Sequence, residues 1–160
     1  MRIYRDIATL SGAQVLCFFL LSHYDPSFFL LHFYQTIIYM AILIMLFYME
    51  DRWAYMIGIL APLVWLGLAF ETGLLGGALR QILRLGHGQE ISNGVSFLAA
   101  ITAILSVLMT GVCVRRWMKE YGGLGKSFNT FAVSFGIVAL YYGILVIWFW
   151  EMIPGTSGRN

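Results

Sequence analysis

The sequence predicts an all-α integral membrane protein: a bundle of about five transmembrane helices, with a short interfacial helix between the third and fourth. Composition is the first reason. Of 160 residues, 60% are hydrophobic and only 11% are charged, and mean hydropathy is +0.79. A soluble domain carries about 25% charged residues. The second reason is the grouping of apolar residues into five runs near the length of about 20 that a helix needs to cross a hydrocarbon core. The third is aromatic placement. Trp53, Trp117, Trp148 and Trp150 fall at the ends of these runs, where amphipathic rings favour the headgroup layer.

The first run spans Ile7 to Ser22 and carries Gln14. The stretch after it, His23-Tyr24-Asp25-Pro26, lacks the small residues of a cleavage site, so this run is expected to be retained as a helix. The second runs from Pro26 to Met49. Asp25 is placed to cap it and Pro26 to open it, giving a tight helical hairpin. The third extends from Trp53 to Thr72, with Pro62 inside it and Trp65 one turn on, positioned to fill the space left by a bend. The fourth covers Val95 to Val114 and the fifth Phe128 to Trp150. Residues 1–153 form one transmembrane domain, and 154–160 a flexible tail.

Loop charges favour five spans over four. With five, Arg2, Arg5, Arg52, Arg115, Arg116, Lys119 and Lys126 share one side, and Arg80, Arg84 and Arg159 the other, seven against three. If the first run does not span, the split becomes five to five. Cytoplasmic loops carry the excess of Lys and Arg. A cytoplasmic N-terminus and an external C-terminus follow, with the inner membrane of a cell as the setting.

The stretch "LAFETGLLGGALRQILRL", from Leu68 to Leu85, poses the sharpest question. Twenty residues of helix counted from Trp53 end at Thr72, placing Glu71 at the interface. Gly73 suits the position past a helix end. Residues 74–85 are too short to span. Leu75, Leu79, Ile82 and Leu83 share one face, with Arg80 and Arg84 on another, as in a helix lying in the interface. Glu71 then pairs with Arg80 or Arg84, or reaches water. The competing readings continue the third helix to Leu79, making Glu71 an intramembrane functional carboxylate, or fold the chain back at Gly76-Gly77.

Other constellations carry weaker chemistry. His32, Gln35, Thr36 and Tyr39 share a face of the second span. They read as a packing face bonded to Gln14 or a neighbouring helix, or as a pocket for a quinone, pigment or other substrate. His32 is the one candidate cofactor residue; no cofactor is otherwise predicted, with lipid, quinone or pigment as the compatible classes. Glu50-Asp51-Arg52 reads as a solvated turn. Small residues line the fourth span at Ala99, Ala103, Ser106, Thr110 and Cys113, and the fifth at Ala132, Gly136, Ala139 and Gly143. Such stripes let helices approach closely in lipid, so these two spans are expected to pack with each other or with a partner. Arg115, Arg116 and Lys119 suit anionic lipid headgroups. Cys17 and Cys113 lie in apolar runs without metal or disulfide spacing, and no metal site is predicted.

No nucleophile motif, metal-ligand cluster, phosphate loop or intramembrane lysine occurs, and a net charge of +2 gives no reason to expect nucleic acid. The leading expectation is a small non-catalytic subunit or scaffold of a larger membrane complex, partnered by the bilayer and by other subunits or its own copies. The alternative is a small transporter or channel using Glu71 and the His32/Gln35 face. A third reading is a membrane enzyme or redox protein using His32 with a cofactor.

Overall fold

The computed structural model describes residues 5–122 and 128–149. Lys126, Trp150 and the expected tail after Pro154 lie outside the described residues. Six α-helices follow in order: α1 Arg5–Tyr24, α2 Phe29–Phe47, α3 Asp51–Glu71, α4 Leu74–Gly86, α5 Gly94–Tyr121 and α6 Phe128–Trp148. All but α4 are long and apolar enough to cross a membrane. The protein is therefore an all-α, multi-pass membrane bundle. α5 lies between α1 and α3, α2 packs on α1 and α3, α4 rests on α5, and α6 joins the outside of α3.

Polarity is arranged for lipid. Ser11, Gln14, Gln35, Thr36, Thr102, Ser106, Thr130 and Ser134 are buried, whereas Leu16, Phe19, Leu30, Ile104, Val107 and Leu140 are exposed. Hydrocarbon cannot hydrogen-bond a polar side chain, so such groups turn inward to find partners. Gln14 Nε2 donates to Thr102 O at 3.3 Å and to Ser106 Oγ at 2.9 Å, tying α1 to α5. Ser11 Oγ donates to Tyr39 O at 2.7 Å, tying α1 to α2. Gln14 thus bonds to α5 and not to the His32–Tyr39 face, one of the two pairings the sequence suggests for that face.

Two tyrosines fasten α6 across the bundle. The Tyr34 hydroxyl donates to Tyr141 O at 3.1 Å, the Tyr141 hydroxyl donates to Tyr34 O, and the rings stack at 4.4 Å. Each ring is thereby fixed by both its face and its polar tip.

The fourth span departs from expectation at its C-terminal end. α5 has 28 residues, about 42 Å of helix at 1.5 Å per residue, and so outruns a hydrocarbon core of about 30 Å. Arg115, Arg116 and Lys119 are helical, not loop, residues. Trp117, expected at the interface, is 2% exposed and packs on Tyr121 with ring centroids 4.9 Å apart. Arg116 Nη2 reaches Asp6 Oδ2 at 2.7 Å. The extra turns persist because one face has α1 and α3 to pack on, and Gly122 at φ 71° then stops the helix. Trp148 is exposed. Pro62 lies buried within α3 without ending it, and Trp65 is buried.

α3 and α5 approach each other closely at Gly58. A Cβ there would lie 2.7 Å from Cys113 Sγ and 3.4 Å from Met109 Cε. Overpacking of this kind costs about 1–3 kcal/mol. Gly58→Ala should lower thermal stability in detergent or nanodiscs by that order, and Cys113→Ala added to it should recover part of the loss. A Gly58→Ala protein as stable as the wild type would show that the helices are not closely apposed there.

Candidate functional site

The structure brings polar residues together where α2, α3, α4 and α5 begin or end. The hairpin between α1 and α2 is a short 3-10 turn, Pro26–Phe28, before α2 proper. Asp25 has φ −126° and ψ 77° and makes no side-chain cap bond. Its backbone carbonyl accepts from Phe28 N at 3.1 Å, while its carboxylate Oδ2 lies 3.6 Å from His32 Nε2. Asp25 and Pro26 thus take the expected N-cap and first-residue positions, of a 3-10 turn that leads into α2, but the Asp25 carboxylate makes no cap bond and lies near His32 instead.

On the neighbouring helices, α3 ends at Glu71 with Thr72 as its C-cap. Gly73, at φ 73°, reverses the chain into α4, a left-handed conformation that glycine adopts without steric cost. Glu71 is therefore an exposed helix-terminal residue. No hydrogen bond or ion pair to it forms among the described residues. This rules against both the deep position in a continued α3 and the pairing with Arg80 or Arg84. α4 turns Ala78 and Gln81 inward. Leu79, Ile82 and Leu83 are exposed, so the leucine face points away from the bundle. Gln81 holds the following loop by donating from Nε2 to Ser92 Oγ at 2.9 Å and accepting from Ser92 N at 3.2 Å. Asn93 then accepts from Ser96 N at 3.2 Å and caps α5.

These turns border a partly open cavity of about 440 Å³ whose polar lining comes from Asp25, His32, Thr72, Arg80 and Ser96. A narrower space of about 100 Å³ continues inward past His32 to Gln35, Phe18 and Trp65. His32, Thr72 and four apolar residues line both spaces. Phe18 and Trp65 also line the narrower space, and their rings meet edge to face at 5.6 Å.

His32 is 7% exposed and Gln35 6%. Among the described residues, neither ring nitrogen of His32 nor Oε1 of Gln35 has a hydrogen-bond partner. Gln35 and Asp25 are the polar neighbours of the imidazole, yet no bond of normal length forms. Thr36 is satisfied locally, its hydroxyl donating to His32 O at 3.1 Å. Tyr39 is fully buried farther along, with Ser106 and Tyr142 beside it, and lines neither space. The four-residue face therefore divides: its first half borders a cavity and its second half packs.

The small-residue stripes also part. Ala99, Ser106 and Cys113 are buried in α5, with Ala103 and Thr110 half-buried. On α6 the inward residues are Thr130, Ser134, Val138, Tyr142 and Leu145, whereas Ala132, Gly136 and Ala139 are exposed and Gly143 is half-buried. The stripes do not meet, because the tyrosine pair with α2 and the contact with α3 set the rotation of α6. A Cβ at Gly136 or Gly143 would touch nothing within 4 Å. An open groove of about 450 Å³, lined by Val64 and Leu68 of α3 with Ala139 and Gly143 of α6, lies on this outer surface.

Sequence reasoning missed Asp25, Thr72 and Arg80 as companions of His32. Asp25 lies seven residues before His32, a spacing of two helical turns, but an intervening proline suggested only a cap. No protein-family model, curated protein or solved structure matches this chain.

Loss of a side-chain N-cap costs about 1 kcal/mol. Because Asp25 makes none, Asp25→Ala should change unfolding stability by less than about half that, measured by denaturant titration in mixed micelles. A full-sized loss would restore the capping role.

Proposed function

We propose that this protein is a small non-catalytic subunit or scaffold of a larger membrane complex, docking a companion helix on the outer face of α6. The observation that carries the reading is the placement of Ala132, Gly136, Ala139 and Gly143 on the side of α6 turned away from its own bundle. In lipid there is no hydrophobic gain from bringing two apolar helices together. Association rests on close backbone approach and van der Waals packing, which small residues permit. The groove beside the stripe offers space for a neighbour's larger side chains. The occupant is a transmembrane helix of a different chain. The proposed orientation keeps the N-terminus in the cytoplasm, with Arg115, Arg116 and Lys119 among anionic headgroups of a bacterial-type inner membrane.

The alternative, a small transporter or channel using Glu71 and the His32/Gln35 face, draws support from the cavity but not from Glu71, which stands exposed at the end of α3.

A photo-crosslinking residue at Ala139 or Gly143 should capture one companion protein in native membranes, while the same residue at Ile104 or Val107 on α5 should capture lipid. Gly143→Leu should reduce the protein crosslink roughly tenfold, equivalent to about 1.4 kcal/mol of lost association. Lipid adducts alone at all four positions, with a monomeric chain on native mass spectrometry, would sink the proposal. A crosslink between two copies of this chain would replace the companion with a homodimer.

A further inference from the structure

We propose that the cavity beside His32 is a binding site for a neutral ring-bearing amphiphile whose head carries a hydroxyl or carbonyl oxygen, the class of phenols, quinols and quinones. The inference is independent of the docking of α6.

It begins with unmet hydrogen bonds. His32 and Gln35 are each more than nine-tenths buried, and the imidazole nitrogens and Gln35 Oε1 lack partners. Orphaned groups of this kind are expensive in a low-dielectric interior, and here they border the same small space. A neutral imidazole offers one N–H donor and one acceptor, and an amide oxygen accepts. A single hydroxyl can accept from the imidazole and donate to the amide oxygen. A carbonyl oxygen can take the imidazole proton donor alone.

Size and shape narrow the ligand. An apolar cavity of about 150 Å³ holds benzene. The inner space, about 100 Å³, is smaller but shares six lining residues with the outer one of about 440 Å³. One ring therefore fits across the junction beside His32, with Phe18 and Trp65 at its inner edge. The outer space lies within the range of about 300–1,000 Å³ usual for ligand pockets. Its apolar walls, among them Leu21, Phe28 and Val95, suit a hydrocarbon tail.

Charge selects a neutral head. The outer lining carries one carboxylate, Asp25, and one guanidinium, Arg80. Asp25 stands 3.6 Å from His32 and would repel an anion brought to that ring. Arg80 already donates from Nε to Gly76 O at 3.2 Å and is an exposed residue of α4, so a phosphate or carboxylate held there would leave His32 and Gln35 unsatisfied.

The test uses the full chain in nanodiscs and two probes, decyl-substituted dimethoxy-methyl-benzoquinone and oleate, by equilibrium dialysis against empty nanodiscs. Saturable quinone binding is expected, weakened at least about tenfold by His32→Leu and by Gln35→Leu, and changed less than about threefold by Arg84→Gln, an exposed residue of α4 outside the cavity lining. Leu31→Trp, which adds bulk at a residue lining both spaces and leaves both polar side chains in the sequence, should also abolish binding, so misfolding of one polar variant does not decide the question. Quinone uptake no greater than into empty nanodiscs would overturn the proposal and leave a water-filled cavity. Saturable binding indifferent to His32→Leu, Gln35→Leu and Leu31→Trp would overturn the location. Oleate binding more tightly than quinone, and lost in Arg80→Gln, would replace the neutral ligand with an anionic one.

Discussion

Everything in this bundle answers to one constraint: inside a hydrocarbon layer a polar group must find its partner within the protein. The spanning helices are apolar nearly all round, so hydrophobic burial alone does not choose which face turns inward. A few polar side chains do. Ser11 orients α1 against the backbone of α2, Gln14 orients it against Thr102 and Ser106 of α5, and Tyr34 and Tyr141 set α6 against α2. The Gln14 amide, bridging to a carbonyl and a hydroxyl of α5, joins two helices 88 and 92 residues apart in sequence. Such bonds contribute roughly 0.6 kcal/mol each in membranes. Their importance here is to rotation and register more than to total stability.

The same constraint makes the exceptions informative. Ser134 Oγ and Trp117 Nε1 are buried without a hydrogen-bond partner among the described residues, but neither residue lines the cavity or the narrower space beside it. His32 and Gln35 instead border empty volume. The cavity exists because two turns are shaped by local chemistry. Pro26 forces a 3-10 turn that leaves Asp25 free of capping, and Gly73 bends the chain so that α4 lies against α5. Gly77 then approaches Ser96 so closely that a Cβ would lie 3.1 Å from its hydroxyl. Short turns at one end of the bundle thus produce a roofed space without any dedicated domain.

At the opposite end the packing is solid. Trp117, Tyr55 and Met109 are buried together, and Asp6 and Arg116 form a partly exposed ion pair at 2.7 Å. A pair this accessible contributes about 1 kcal/mol or less, so cohesion there rests on packing. The chain turn between α2 and α3 puts Met49 at φ 60°, with Glu50 N bonded back to Met45 O at 2.9 Å, a helix stop that glycine usually supplies. One end of the molecule is dense and aromatic, the other hollow and polar, and α6 leans against both with its small residues turned outward.

Composition and run length were enough to determine five spanning helices, because bilayer thickness dictates helix length whatever the neighbours are. Local rules likewise determined the end of α3 at Thr72-Gly73 and the separate short α4, since a left-handed glycine stops a helix on its own. Contacts between distant segments decided the rest. Asp25 reads as a cap until His32 is seen beside it. Trp117 reads as an interfacial ring until α1 and α3 are seen to support seven more residues of α5 than the apolar run suggests. The matching stripes on α5 and α6 read as one seam, yet Tyr34 and Tyr141 hold α6 in a different rotation. A helix that is apolar on every side carries little record of which side will be inside, and only the neighbours' hydrogen-bonding groups supply that information.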